Sequence, residues 1–315
     1  MNIEQEFAKL DWSREPKGLY EPIGYTLASG GKRLRPQLTL IACQLFGGKP
    51  ETVLPAAMAL EIFHNFTLLH DDVMDRADVR RGRPTVHVRW NDNTAILSGD
   101  QMLIEAYKLL ATLPPDLLPE VLRLFNKMAT EICEGQQYDV DFEAKDNTTI
   151  DDYLMMIRLK TSVLLATALQ IGAYIAGADP SAQDALYQYG INLGLAFQIQ
   201  DDILDVYGDP ATFGKAIGGD IICNKKTYIL LSALHAADPD TLHELRHWMQ
   251  TTQAPRDEKI RAVTALYDRL HMRSVCEDVV RQYTCQALQH LRTLPQNDHT
   301  DALRALAEKL INRQA

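Results

Sequence analysis

Apolar residues recur at three- and four-residue spacing along most of this chain, and alternation with a period of two is almost absent. That periodicity predicts an all-α protein. It places helices at Leu19–Ala28, from Pro36 to about Leu45, and as one long segment after Gly47-Gly48-Lys49-Pro50. Further helices are expected near Thr94–Thr112, Asp116–Gln136, Ile150–Ala176, Ser181–Val206, Lys225–Ala236, Asp240–Met249, Arg256–Leu270, Ser274–Leu294 and Asp301–Asn312. Breaks fall at Pro114-Pro115, Asp179-Pro180, Gly208-Asp209-Pro210, Asp238-Pro239 and Pro295, where proline and glycine end helical patterns. Residues Met1–Pro16 are polar, with room for a short leading helix. Arg76–Asn91, carrying Gly82 and Pro84, reads as a loop. No linker or short repeat interrupts the pattern, so residues 1–315 are expected to form a single domain.

Two of these helices end in carboxylates. The run Ile62, Phe63, Phe66, Leu68, Leu69 leads into Asp71-Asp72-Val73-Met74-Asp75. Asp71 and Asp75 are four apart and share a helix face. Like charges at that spacing destabilise a helix, and buried carboxylates need partners or a cation. Mg²⁺ takes hard oxygen ligands, usually one or two carboxylates plus substrate phosphates. Taken alone, the cluster reads equally well as an acidic helix end in water. Asp201-Asp202-Ile203-Leu204-Asp205, however, repeats the spacing after the apolar run Gly190–Gln200. The pair suggests two helices facing each other across one cavity, as helix bundles build metal sites.

The basic residues add a second kind of site. Ser29-Gly30-Gly31 ends one helix and Lys32-Arg33-Leu34-Arg35-Pro36 opens the next. Basic side chains and free N–H groups at a helix start attract anions, although an isolated block of this kind is more often an ordinary basic turn. The 315-residue chain is 46% hydrophobic, enough for a large core. Its net charge of −10 argues against non-specific binding to nucleic acid or anionic membrane. The cysteines Cys43, Cys133, Cys223, Cys276 and Cys285 form no CxxC pair and are expected to be reduced. No signal peptide or transmembrane stretch is expected, and a reducing cytoplasm is the default location.

Seven blocks, in order, carry a resemblance: Gly30-Gly31-Lys32-Arg33-Leu34-Arg35-Pro36, Leu69–Asp75, Arg80-Arg81-Gly82-Arg83-Pro84-Thr85, Gly99-Asp100, Lys160-Thr161, Phe197–Asp205, and Gly214-Lys215 through Asp220 to Lys225. Together they resemble the trans-isoprenyl diphosphate (polyprenyl) synthases, and the resemblance spans most of the chain. It implies a large helical bundle around a deep central cavity, usually a homodimer. It also implies that an allylic diphosphate ionises, isopentenyl diphosphate attacks the cation, and a proton is lost, adding five carbons per turn.

The roles below are those the resemblance implies. Asp71, Asp75 and Asp201 are the first-choice metal ligands, with Asp72, Asp202 and Asp205 acting behind them or through water. The cofactor is Mg²⁺, three per active site, with Mn²⁺ as an alternative. Arg80, Lys160, Lys215 and Lys225 hold the allylic diphosphate. Lys32, Arg35, His64 and Arg81 form a separate, metal-free pocket for isopentenyl diphosphate. His64 lies seven residues before Asp71, on nearly the same helix face; outside the family it would read as a core histidine. Thr161 and Gln198 sit where the family stabilises the carbocation. Phe66, five before Asp71, lies about one and a half turns deeper, and Thr67 beside it is small. A single aromatic there resembles C20 synthases, so the expected product is C20 (geranylgeranyl), then C15 (farnesyl). Lys226 replaces the smaller residue often found after Lys225.

Other readings remain at this point. A class I terpene cyclase ionises the same kind of diphosphate without an isopentenyl site, and Lys32, Arg35 and His64 argue against it. A longer-chain polyprenyl diphosphate synthase is a second alternative. A regulatory subunit would tend to lose aspartates that are intact here. No nucleic-acid partner and no stable membrane anchor are expected.

Overall fold

The structure is a computed structural model that describes residues 3–209, 217–251 and 253–311. In chain order the helices are α1 (Ile3–Phe7), α2 (Lys17–Leu27), α3 (Leu34–Leu45), α4 (Pro50–Met74), α5 (Val86–Arg89), α6 (Asp92–Leu110), α7 (Leu118–Ala144), α8 (Ile150–Ile157), α9 (Val163–Ile175) and α10 (Pro180–Tyr207). They continue with α11 (Gly219–Ile222), α12 (Tyr228–Ala236), α13 (Pro239–Gln250), α14 (Arg256–Arg269), α15 (Met272–Leu291) and α16 (Asp298–Ile311). A two-stranded ribbon, β1 (Val79–Arg80) and β2 (Arg83–Pro84), follows α4. The fold is all-α, as the periodicity predicts.

Contacts divide the chain into two compact units. The first comprises Met1–Lys127, Thr167–Leu186 and Pro295–His299. Its centre is α4, which packs on α3 and α6, with α2 against α4 and α6. Lys49 precedes Pro50, and proline at a first helical position costs no hydrogen bond. From Ala56 to Phe63 every α4 residue is buried, the signature of a helix enclosed on all sides. Phe63, 1% exposed, stacks edge-on against Phe125 at 5.2 Å. Truncating such a ring to alanine costs about 3–5 kcal/mol.

The second unit comprises Met128–Ala166, Tyr187–Leu294 and Thr300–Ala315. Here α12 packs on α8 and α15, while α14 contacts α11, α13 and α15. Three helix starts here, those of α8, α12 and α13, are capped by side chains. Thr149 and Asp152 form a reciprocal capping box on α8, and Asp238 accepts from two N–H groups at the start of α13. Tyr189 on α10 donates to the Leu303 carbonyl on α16 at 2.7 Å, satisfying a fully buried hydroxyl.

Four expectations need correction. Arg76–Asn91 is not a plain loop. Arg81 (φ 52°) and Gly82 (φ 73°) make a left-handed two-residue turn that matches strand twist, so a ribbon forms before α5. The segment from Ile150 is not one uninterrupted α-helix, because Arg158–Ser162 widens into a π turn between α8 and α9. Lys225 is not helical, because Thr227 caps α12 through the Leu230 N–H. α7 runs to Ala144, beyond the expected end at Gln136. In addition, α4 and the stretch Ile150–Ile175 are long and apolar enough to cross a membrane, contrary to expectation. In each, 61% of the apolar window is buried inside the protein, as core helices require.

Candidate active site

In the first unit, α4 delivers Asp71 and Asp72, and Asp75 caps its C-terminal end. Asp71 is half-buried and Asp75 exposed, while Asp72 is 6% exposed. The β-ribbon exists opposite this end and brings Arg80 to it: Nε and Nη2 both lie 2.7 Å from Asp72 Oδ1. Burial pushes the Asp72 carboxyl up, and Arg80 partly offsets it. The neighbouring turn residue, Arg81, donates to the Gly30 carbonyl and covers Gly31.

The Gly30–Pro36 block therefore lies beside the ribbon. Lys32 is exposed, whereas Arg35 and His64 are half-buried. Burial pulls the Arg35 guanidinium down to about 10. Burial first, then the positive Arg35 and Arg81, hold His64 well below the ordinary imidazole value, so it is neutral at pH 7. Structure thus gathers Arg35, His64 and Arg81 around one basic region. Phe66 packs against Phe63 (5.4 Å) and His70 (4.8 Å), and the Thr67 hydroxyl is turned back to the His64 carbonyl at 2.8 Å.

In the second unit, α10 carries Gln198, Asp201, Asp202 and Asp205. Asp202 is 4% exposed. Its Oδ2 accepts from the Tyr153 hydroxyl at 2.6 Å and from the Tyr228 N–H at 3.0 Å. Burial, and then Asp220, push this carboxyl up to about 7. Asp205 Oδ2 accepts from the Asp220 N–H at 3.0 Å, tying α10 to α11. A cavity of about 170 Å³ is lined by Lys160, Thr161, Gln198, Asp201, Lys225 and Lys226, among others.

Lys160 and Thr161 lie in the π turn, and two helices approach this turn closely. A Cβ on Gly135 of α7 would stand 2.3 Å from the Lys160 N. A Cβ on Gly194 of α10 would stand 2.6 Å from the Ser162 Cα. Only glycine lets both helices approach so closely. A widened turn of this kind is frequent at functional sites. Lys160 Nζ then meets Asp139 Oδ2 on α7 at 2.6 Å, and Thr161 donates weakly to Gln198 at 3.5 Å.

Three participants escaped the sequence reading: Asp139, Tyr153 and Glu61. None stands in an acidic pair or beside a motif residue of its own site, so only the fold reveals them. Lys215 lies outside the described residues. Among the described residues no three acidic, histidine or cysteine side chains converge into a ready-made metal cage. The donor set is nonetheless hard carboxylate oxygen, which fits Mg²⁺ held jointly with a diphosphate.

A model of the polyprenyl synthetase family matches residues 16–267. The chain belongs to this family. Every site residue named above falls inside the matched segment. The chain is 43% identical over 220 residues to a geranylgeranyl diphosphate synthase of Methanosarcina mazei, covering 69% of this chain and 68% of that one. It is 36% identical to a geranylgeranyl pyrophosphate synthase of Geoglobus acetivorans, covering 99% and 96%. Among solved structures, one of a geranylgeranyl pyrophosphate synthase aligns with a TM-score of 0.93, 43% identity and full coverage of both chains. For this polyprenyl synthetase, the prenyl-synthase alternatives are thereby favoured over a cyclase.

Proposed function

We propose that this polyprenyl synthetase condenses isopentenyl diphosphate head-to-tail with an allylic diphosphate to give a short-chain all-trans product, principally C20. The supporting observation is a basic region of the first unit, Arg35, His64 and Arg81, in addition to the lysine-lined cavity of the second. A cyclase ionises one diphosphate and needs no second anion site. The names of the relatives support C20.

In this reading the allylic diphosphate sits at the two aspartate clusters. Mg²⁺, or Mn²⁺, would be held by Asp71, Asp75 and Asp201 and would neutralise the departing diphosphate. Arg80 orients Asp72, and Tyr153 orients Asp202. Lys160, Lys215 and Lys225 supply fixed positive charge to the leaving group as its C–O bond breaks. The Thr161 hydroxyl and Gln198 carbonyl would offer lone-pair dipoles to the developing cation. Arg35, Arg81 and Lys32 hold isopentenyl diphosphate, with Arg suited to two-pronged contact with phosphate oxygens. The new C–C bond forms and a proton leaves to a diphosphate oxygen.

We read the chain as one catalytic domain acting in the cytoplasm as a homodimer. Exposed Ile96, Leu97, Ile104 and Tyr107 on α6 support such an interface. The experiment is to supply an allylic diphosphate and Mg²⁺ with and without isopentenyl diphosphate. A longer prenyl diphosphate formed only with both substrates is expected. A hydrocarbon formed without isopentenyl diphosphate would establish the cyclase instead.

A further inference from the structure

Arg33 is the one basic residue of the Gly30–Pro36 block that cannot serve a ligand, because its side chain is 3% exposed. Its bonds turn inward. Nη1 meets Glu61 Oε1 at 3.0 Å, Nε meets Glu4 Oε1 at 2.9 Å, and Nη2 donates to the Leu27 carbonyl at 2.5 Å. The guanidinium also lies 4.9 Å over the Phe7 ring. Its backbone is left-handed (φ 44°), a conformation that costs free energy in a non-glycine residue. Three side-chain bonds hold it there. From that position Arg33 precedes α3, accepting the Gln37 N–H on its carbonyl at 3.2 Å. Lys32 lies directly before it and Arg35 two residues after.

Glu61, on α4, is the buried end of this arrangement at 2% exposure. Oε1 also accepts from Asn65 Nδ2 at 3.3 Å, and Oε2 is buried with no partner. Besides Arg33, the carboxylate attracts Arg35 and Arg81 electrostatically. One carboxylate therefore acts on the guanidiniums of Arg33, Arg35 and Arg81 together and offsets their mutual repulsion.

We propose that Glu61, acting through Arg33, is the positioning residue of the isopentenyl diphosphate pocket: it fixes the left-handed turn and the spacing of Lys32, Arg35 and Arg81 without touching the substrate. This rests on the pocket assignment above. Two opposing effects follow from losing its charge. The pocket becomes more positive, which favours an anion, but the cations lose their common anchor. Arg33 is retracted and held by three side-chain hydrogen bonds, so the anchoring effect dominates.

The test uses the full-length dimer-competent enzyme with isopentenyl diphosphate and farnesyl diphosphate. Glu61→Gln is expected to raise the KM for isopentenyl diphosphate about tenfold (about 1.4 kcal/mol). The KM for farnesyl diphosphate and the kcat at saturation should move less than about twofold. Glu61→Asp, which keeps the charge but shortens the reach, should raise the same KM in the same direction. A lower KM for isopentenyl diphosphate in Glu61→Gln would overturn the proposal in favour of a purely electrostatic effect, and an unchanged KM would overturn it outright. If Glu61→Gln fails to fold, the double variant Arg33→Met/Glu61→Met decides, since buried ion pairs are often replaceable by apolar pairs without loss of stability. Folded, with a raised KM, it supports positioning; folded, with a wild-type KM, it overturns it. Lys32→Ala and Arg35→Ala in the same assay separate the two levels. If neither raises the KM for isopentenyl diphosphate, the pocket assignment fails; if they do and the Glu61 variants do not, only the present inference fails.

Discussion

Lys160 Nζ and Asp139 Oδ2 stand 2.6 Å apart, joining the π turn to α7, with both side chains largely shielded from solvent. The pairing gives a flexible lysine a fixed direction before any diphosphate arrives. A free lysine carries about 2 kcal/mol of rotamer freedom. Asp139→Asn should therefore lower kcat about tenfold, while Lys160→Ala should lower it about a hundredfold. Steady-state rates at saturating Mg²⁺ check this; a wild-type rate in Asp139→Asn would show that the pair has no catalytic consequence.

Asp71→Ala and Asp201→Ala should each lower turnover by about a hundredfold or more, because charge on the departing diphosphate would go unneutralised. Both side chains are only half-buried, so thermal midpoints should shift by a few degrees at most. Activity assays alongside thermal melts separate the two effects. Near wild-type turnover in either variant would contradict the role proposed for that cluster.

His64 provides a pH test. Burial and the positive Arg35, Arg81, Arg80 and Arg33 hold its folded pKa well below the ordinary value. The unfolded chain therefore binds a proton at about pH 6.5 that the folded chain refuses. Stability from this group is intact above about pH 6.5 and is lost as pH falls, with a slope approaching about 1.4 kcal/mol per pH unit. Denaturant melts from pH 8 to pH 5 should show a steeper decline for the native protein than for His64→Asn. Parallel profiles would contradict a neutral His64.

Phe66→Ala should lengthen the product. Five residues before Asp71 on a helix is about 7.5 Å deeper along its axis. The ring is braced by Phe63, itself stacked on Phe125, so it does not yield easily to a growing tail. Removing it opens space in which each further buried CH₂ gains about 0.8 kcal/mol. Thr67→Phe should shorten the product. Chain lengths of the prenyl alcohols after phosphatase treatment decide; an unchanged distribution in an active Phe66→Ala enzyme would place the floor elsewhere.

The helices were legible because an apolar stripe and its breakers are local facts. α6 and α10 begin and end within about two residues of the pattern, as helix limits generally do. Asp71, Asp72, Asp201 and Asp202 were legible for a similar reason: clustered charge at the end of an apolar run is anomalous. What escaped depends on tertiary approach. The sequence of Arg158–Ser162 does not mark a π turn, and the close approach of α7 and α10 to it at Gly135 and Gly194 is visible only in the fold. The ribbon was hidden because its turn uses Arg81 in a left-handed conformation that residue type does not advertise. Asp139 and Glu61 look like ordinary helical acids until the fold sets them against Lys160 and Arg33.

The most direct measurement of the central claim is chromatography of the products made from labelled isopentenyl diphosphate with dimethylallyl, geranyl or farnesyl diphosphate and Mg²⁺. The account predicts labelled all-trans product that stops chiefly at C20 from each primer. No labelled product from any primer, or label found only in chains far longer than C20, would contradict it.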